Sequence, residues 1–478
     1  MRALGVGLVY WAAVEPLLEA ADGGVAVAEL EPQSLWEQTS CAGGWRYRNN
    51  EALLERVAAL PQAKLLHGIG HPVGGTAPDP IDPAPLLRHA VERLDPAWVS
   101  EHLSFNRFKR PGGAIEHAGF LLPPAQSPAA VRVAAHNLLA YQRTVERPVA
   151  FETGVNYLRP RPEDLCDGDF FAAVADSADS GIVLDLHNLW CNERNGRQRV
   201  ADVLDRLPLE RVWEIHLAGG MSESGYWLDA HSGSVPEEVM EIAADVIPRL
   251  SNLGALIFEV LPEHLPSFGL DGVQRQIEGL KRLWTLRRPD VIRANNVATN
   301  HASARAPTAA DFTSVASWES SLVLAMRGVV ASTSVAPSSL STDPGCALLA
   351  HLVSDFRRAS LARALHYTLT SLLAGVGSHN THALLDAYCE MHPPEPFAAV
   401  EADSFAHFLR ARLPLLRGIA YFDEVLSFEH AMVRATIHGA SSEIVWSADP
   451  VAIFESLDAG RLPPQLPAVS TTMRVCAG

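Results

Sequence analysis

Short apolar runs that end on a metal-binding side chain recur along the first half of the chain. In Gly181-Ile-Val-Leu-Asp-Leu-His-Asn188 three apolar residues lead to Asp185, and Asn188 follows three positions on, so both side chains can turn to one point. Lys64-Leu-Leu-His67, Trp98-Val-Ser-Glu-His102, Val149-Ala-Phe-Glu152, Val212-Trp-Glu-Ile-His216 and Ala255-Leu-Ile-Phe-Glu259 repeat the pattern with His or Glu in last place. A carboxylate at the end of a buried apolar segment is costly unless it is paired, hydrogen-bonded or on a metal. Asp229 and His231 add a D-x-H step, which in an extended loop places both side chains on the same side. Together His67, His102, Glu152, Asp185, Asn188, His216, Asp229, His231 and Glu259 offer O and N donors and no thiolate. That chemistry suits Zn, Mn or Fe(II) rather than a thiolate zinc finger or an all-oxygen calcium site. Nine donors are more than one ion needs and suit two or three, with Glu152, central in the series, best placed to bridge a pair. Asn188 is a neutral, weak ligand that leaves room for substrate or dioxygen.

Each residue has a plainer reading when taken alone. A single histidine at a strand end is usually a hydrogen-bonded core residue, a lone Glu can pair with an arginine, and Asp185 can cap the helix that follows it. Recurrence favours the shared site: six of eight strand candidates end on His, Asp or Glu. His71, His187 and His264 are read as ordinary polar neighbours outside the set.

The elements that must position these residues alternate regularly. Strands are expected at 4–9, 25–30, 64–67, 98–102, 148–152, 181–185, 212–216 and 255–259, with helical patterns between them and a closing helix at 274–286. Continuous apolar strands are what a parallel sheet buried on both faces requires. Eight strand–helix units over the first 286 residues are close to the roughly 250 residues typical of a (β/α)8 TIM barrel. An open doubly wound sheet would fit the alternation too, but polar residues at so many strand ends favour the barrel, where those ends converge on one mouth. Residues 287–310, rich in Ala, Ser, Thr, Asn and Pro, are expected to be a linker. Residues 311–478 are expected to form a second, mainly helical domain, with helices over 312–330, 346–374, 382–391, 403–413 and 422–436 and a strand at 442–446.

Bulk composition limits the partners. A formal net charge of −17 argues against a nucleic-acid backbone as the main partner, since that binding is chiefly electrostatic. The six cysteines are scattered without a CxxC, as expected of reduced thiols in a cytoplasmic protein. The apolar start of the chain has no A-x-A-like cleavage site and is read as a first strand, and no stretch reaches the length of a membrane span.

Seven separated motifs, in order, carry a resemblance: Leu66-His-Gly68, Ser100-Glu-His-Leu-Ser-Phe105, Phe151-Glu-Thr-Gly-Val-Asn-Tyr157, Leu184-Asp-Leu-His-Asn188, Glu214-Ile-His-Leu-Ala-Gly219, Asp229-Ala-His231 and Phe258-Glu259. Over about residues 3–286 the chain resembles the multinuclear non-haem iron-dependent oxidative enzymes, barrel proteins long known as a domain of unknown function. The resemblance implies two or three irons in mixed Fe(II)/Fe(III) states, dioxygen as co-substrate and a ribosomally made precursor peptide, often modified at cysteine. It places the nine residues above at the positions of the family's iron ligands. Two departures lie beside ligands: His187 stands where the family commonly has Asn, and Gly154-Val155 where Pro-Ser follows Glu-Thr. The second domain resembles, through Ala387-Tyr-Cys-Glu-Met-His-Pro-Pro394, Phe405-Ala-His-Phe-Leu409 and Phe422-Asp-Glu-Val-Leu-Ser-Phe-Glu-His430, the small partner protein associated with leader delivery. Here a fused domain would stand in for that separate partner.

The expectation is therefore an enzyme that uses iron and dioxygen to oxidise a residue, Cys above all, in a precursor peptide. Asn156 and Tyr157, just past Glu152, are candidates for orienting that substrate. The alternatives are a multinuclear zinc or manganese phosphodiesterase resembling AP endonucleases, a sugar isomerase or epimerase on the same barrel, and a peptide-binding scaffold without activity.

Overall fold

A computed structural model describes the chain except for residues 21–23, 43, 111, 289–304, 329–339 and 477–478. Eight strands, β1 (Gly5–Val9), β2 (Val27–Leu30), β3 (Ala63–Gly68), β4 (Val99–His102), β5 (Val149–Glu152), β6 (Gly181–Asp185), β7 (Val212–Ala218) and β8 (Ala255–Glu259), close into a barrel. Every pairing is parallel, neighbours follow chain order, and β8 returns to β1. This is the (β/α)8 arrangement expected from the alternation of apolar runs and helical patterns.

Register partners in a parallel sheet point to the same face, and alternate residues along each strand point to opposite faces. Val9, Val27, Leu65, Trp98, Ala255 and Ile257 form an apolar plug inside the barrel. The intervening residues, among them Leu8, Leu30, Leu66, Phe151, Leu184 and Phe258, belong to the larger core beneath the helices. Gly7 shows how little room the plug leaves, since a Cβ there would lie 2.6 Å from Val27 and 2.8 Å from Ile257. On β3, β4, β5, β6 and β8 the last inward position is a His, Asp or Glu, and on β7 Glu214 and His216 precede an inward Ala218.

Three antiparallel hairpins interrupt the alternation: Trp36–Cys41 with Gly44–Asn49, Phe105–Lys109 with Ile115–Leu122, and Met221–Glu223 with Tyr226–Leu228. Their arms are mostly polar or only three residues long, although Ala118-Gly-Phe-Leu-Leu122 is an apolar run.

The chain forms two compact units: Met1–Trp36, Asn49–Ile115 and Leu121–Leu349 make the first, and Glu37–Arg48, Glu116–Phe120 and Ala350–Gly478 the second. Helix Ala309–Met326, expected to open the second domain, belongs to the first. Arg132 pairs with Asp311 at 2.6 Å, Trp318 Nε1–H donates to the Pro123 carbonyl at 3.1 Å, and Glu319 accepts from the Thr76 N–H and hydroxyl, both at 2.6 Å. The expected linker at 287–310 falls largely outside the described residues.

The second unit is mainly helical, with His366–Met391, Ala398–Arg410 and Phe422–His438 followed by a small antiparallel sheet of Ser442–Trp446 and Thr471–Val475. Leu361, Leu372, Tyr388, Phe405, Leu409 and Leu426 form its core, and a buried Arg357–Glu401 pair at 2.7 Å closes it. The helix expected over 346–374 is broken at Leu365, whose φ of −130° and ψ of 50° leave the helical region. No helix among the described residues is long and apolar enough to cross a membrane.

Candidate metal centre

The carboxyl ends of β3 to β8 bring their inward residues together. His102 and Glu152 are register partners, as are Asp185 and His216, while Glu259 sits opposite Ala218, two residues beyond His216. His67 is the partner of Ser100, whose hydroxyl lies 2.8 Å from His67 Nδ1, leaving Nε2 facing Glu152. Glu152 lies at the centre: Oε2 is 3.2 Å from His67 Nε2 and 2.8 Å from His102 Nε2, and Oε1 is 3.6 Å from His216 Nδ1. His216 Nδ1 is also 3.3 Å from Glu259 Oε1, and Glu259 Oε2 is 3.5 Å from His231 Nε2. Two groups of donor atoms, His67–His102–Glu152 and Glu152–Asp185–His216–Glu259, each lie within 4.8 Å of one another, and Glu152 is common to both.

The remaining donors come from a helix and a loop. Asp185 caps helix Leu186–Arg194 through Oδ1, which accepts the Asn188 N–H at 2.6 Å. It thus does what a cap does while Oδ2 stays free of hydrogen bonds. Asn188 directs Nδ2 to Glu152 Oε1 at 3.4 Å and leaves Oδ1 without a partner. Asp229 Oδ1 lies 3.1 Å from His231 Nε2, and His231 holds a φ of 45°. A bulky residue in that left-handed region is uncommon and is held there by its surroundings.

Six carboxylates, Glu29, Glu152, Asp185, Glu214, Asp229 and Glu259, lie in the barrel interior and at its mouth, and among the described residues no lysine or arginine pairs with any of them. Burial, reinforced by the charges of Glu152, Asp229 and Glu259, pushes the Asp185 carboxyl well above its ordinary range. Burial pushes Glu152 the same way, but His102, His216 and His67 outweigh it and hold that carboxyl well below. Burial would lower His216 and His231, yet the carboxylates around them, Glu259 first for His216 and Asp229 first for His231, raise both. Glu152 Oε2, Asp185 Oδ2, Asn188 Oδ1, both nitrogens of His216 and Glu259 Oε2 are buried without a hydrogen-bond partner. Each such atom costs about 1–3 kcal/mol when left unsatisfied, and a divalent cation among them would satisfy several at once. The donor set fits a metal.

The sequence model of the RiPP precursor modification enzymes MbnB/TglH/ChrH (RiPP, a ribosomally synthesised and post-translationally modified peptide) matches residues 31–266. A UPF0276 protein of Anaeromyxobacter sp. (strain Fw109-5) is 32% identical over 205 residues, 43% of this chain and 70% of that protein. The chain belongs to this family. A second UPF0276 protein, from Streptomyces avermitilis, is 29% identical over 331 residues, 68% of this chain and 65% of that one. Among solved structures, D-psicose 3-epimerase with D-tagatose from Clostridium cellulolyticum H10 overlaps 60% of this chain and 100% of its own at 11% identity and a TM-score of 0.39, a level that says nothing of chemistry. All nine candidate ligands lie inside the span that matches the RiPP enzymes.

Several polar residues of the site lie outside the expected set. Glu29, on β2, is buried 3.2 Å from His216 Nε2 with both oxygens unpartnered, and Glu214 accepts the Trp98 Nε1–H at 2.9 Å. Burial, with Glu214 beside it, pushes the Glu29 carboxyl well up. Val25-Ala-Val-Ala-Glu29 is the same apolar run closing on a carboxylate, so the signal was present. Glu101 accepts the N–H groups of His71 and His102 at 3.0 and 2.9 Å and thereby braces the strand end that carries His102. Asn156 and Tyr157 use their polar groups locally: Asn156 Oδ1 accepts the Leu158 N–H and the Tyr157 hydroxyl accepts the Asp229 N–H, both at 3.0 Å.

Proposed function

We propose that this protein uses iron and dioxygen to oxidise a residue, Cys above all, in a ribosomally made precursor peptide. The observation that carries the reading is the convergence of unpartnered O and N donors from β5, β6, β7 and β8 around Glu152, in a member of a family of precursor-modifying enzymes. His67 and His102 with one oxygen of Glu152 would hold one ion, and His216, Asp185 and Glu259 with its other oxygen a second. Asp229 and His231, next to Glu259, would complete this set or hold a third ion. Bound iron would supply the redox chemistry and the Lewis acidity.

The chain's own part is to hold, orient and exclude. Ser100 and the Gly68 carbonyl fix the imidazoles of His67 and His102 through their Nδ1 atoms, which turns each Nε2 to the site. The apolar plug of Val9, Val27, Leu65 and Ile257 closes the barrel below the ligands, so a peptide would enter from the carboxyl ends of the strands. Asn188, neutral and weakly donating, would leave a coordination position that a cysteine thiolate can take. The second unit would bind the leader part of the precursor, in place of a separate partner.

Metal analysis of protein produced with iron available tests the proposal. Two to three irons per chain, Mössbauer or EPR signatures of coupled Fe(II)/Fe(III), and oxygen consumption that depends on a cysteine-bearing precursor are expected. Stoichiometric zinc or manganese with no functional iron, together with cleavage of abasic DNA, would overturn it.

A further inference from the structure

His187 is completely buried on helix Leu186–Arg194, and both of its ring nitrogens are engaged. Trp227 Nε1–H donates to His187 Nε2 at 3.2 Å. An indole N–H can only donate, so Nε2 must present a lone pair and the ring proton sits on Nδ1. Nδ1–H in turn donates to Asp229 Oδ1 at 2.9 Å, the same oxygen that lies 3.1 Å from His231 Nε2.

Trp227 is itself held in place. Its ring meets Trp190 edge to face at 5.1 Å, and the Arg194 guanidinium lies over both rings, 4.8 Å from Trp190 and 5.5 Å from Trp227. Asn195 clamps its main chain, accepting the Trp227 N–H at 2.8 Å and donating to its carbonyl at 2.9 Å. A Cβ on Gly220 would fall 2.4 Å from Trp227 Nε1 and 2.7 Å from His187 Nε2. The hairpin closes on the imidazole only because that position is glycine.

We propose that His187, locked as its Nδ1–H tautomer by Trp227, is the positioning residue for the ligand pair Asp229 and His231. The inference rests on the metal reading of the barrel mouth and adds to it the device that aims the two donors not carried by a strand or helix. By engaging Oδ1, His187 fixes the carboxylate plane of Asp229 and leaves Oδ2 for an ion. Asparagine places an N–H close to where Nδ1 sits and phenylalanine keeps the ring's bulk without a donor, so the two substitutions separate hydrogen bonding from packing.

The full-length protein, stripped by chelation, is reloaded with Fe(II) without oxygen and separately with Zn(II), and metal per chain and affinity are measured for wild type, H187F, H187N and W227F. H187F is expected to weaken the least tightly held ion about 10–100-fold, the usual effect of losing an outer-shell partner, and H187N to recover most of the loss. Imidazole 15N spectra of the metal-free protein, with the His187 signal identified by its absence in H187N, are expected to show an Nδ1–H ring that loses its single tautomer in W227F. Loading of H187F equal to wild type, an H187N variant as poor as H187F, or an Nε2–H ring would overturn the inference alone. Wild type that takes up neither metal would overturn the metal reading, and this inference with it.

Discussion

Metal binding to the metal-free protein must displace protons, and His102 sets a lower bound on how many. Its Nδ1 lies 2.9 Å from the Gly68 carbonyl, so Nε2, 2.8 Å from Glu152 Oε2, is the nitrogen left for an ion. Burial alone would lower the pKa of this ring, but the Glu152 carboxylate, then Glu101 and the Gly68 carbonyl, carry it up to about 9. At pH 7 that nitrogen bears a proton, and an ion must remove it to bind. Two pH units below the pKa correspond to an apparent affinity about 100-fold weaker than the intrinsic one, or about 2.7 kcal/mol. His216 and His231 are raised as well, so the total release exceeds the one proton due to His102. Calorimetric titration of the stripped protein with Zn(II) at pH 7, in two buffers of different ionisation enthalpy, should give at least one proton released per chain. Affinity should climb about tenfold or more per unit between pH 7 and 9. No net proton release at pH 7, or an affinity flat from pH 6.5 to 8.5, would refute the assignment of Nε2 as an ion's ligand.

Three further outcomes are expected. Glu152→Gln and His216→Ala should each lose at least one ion per chain and all peptide-dependent turnover; full activity in either variant would sink the site. Burial pushes the Glu319 carboxyl up to about 7, against the Thr76 hydrogen bonds that lower it. The folded chain therefore keeps a proton there that the unfolded chain, at its ordinary 4.5, has lost. That contribution to stability is full below about pH 4.5 and is lost as the pH rises to about 7, so urea titrations should show wild type losing about 3 kcal/mol relative to Glu319→Gln across that window, and a constant difference would disprove it. Arg197 pairs with Asp167 at 2.8 Å in the interior and donates to the Leu158 carbonyl at 2.6 Å. Arg197→Met should cost about 3–5 kcal/mol by stranding a buried carboxylate, read as a fall in thermal midpoint, and an unchanged midpoint would count against the pair's burial.

The barrel was legible because each of its strands is an apolar run, and the candidate ligands because they stand where those runs end. What decides their meeting is register, His102 against Glu152 and Asp185 against His216, and strand order supplies that once the barrel closes. Glu29 closes the apolar run 25–28 as the other candidates do, but Leu30 after it carries the strand one residue further. His187 reads as an ordinary polar neighbour from its own segment because its partners, Trp227 and Asp229, lie on a hairpin and loop about 40 residues away. The change of composition at 287–310 points to a domain boundary before helix Ala309–Met326, whereas Asp311, Trp318 and Glu319 tie that helix to Arg132, Pro123 and Thr76. Composition marks a change of style along a chain, and packing alone marks a change of body.

The alternation of faces along the strands constrains how such a site can change over time. His67, His102, Glu152, Asp185, His216 and Glu259 each sit on a pleated strand, where inserting or deleting one residue sends every later side chain to the opposite face. A single-residue indel ahead of the candidate ligand in any of these strands would turn that side chain out under the helices and bring a neighbour, such as Leu66, Leu184 or Phe258, into its place. Lineages can vary these six positions only by point substitution. Asp229 and His231 lie on a loop rather than on a barrel strand, so a change of length there leaves the register of the eight barrel strands intact, and this segment is where a designer should start.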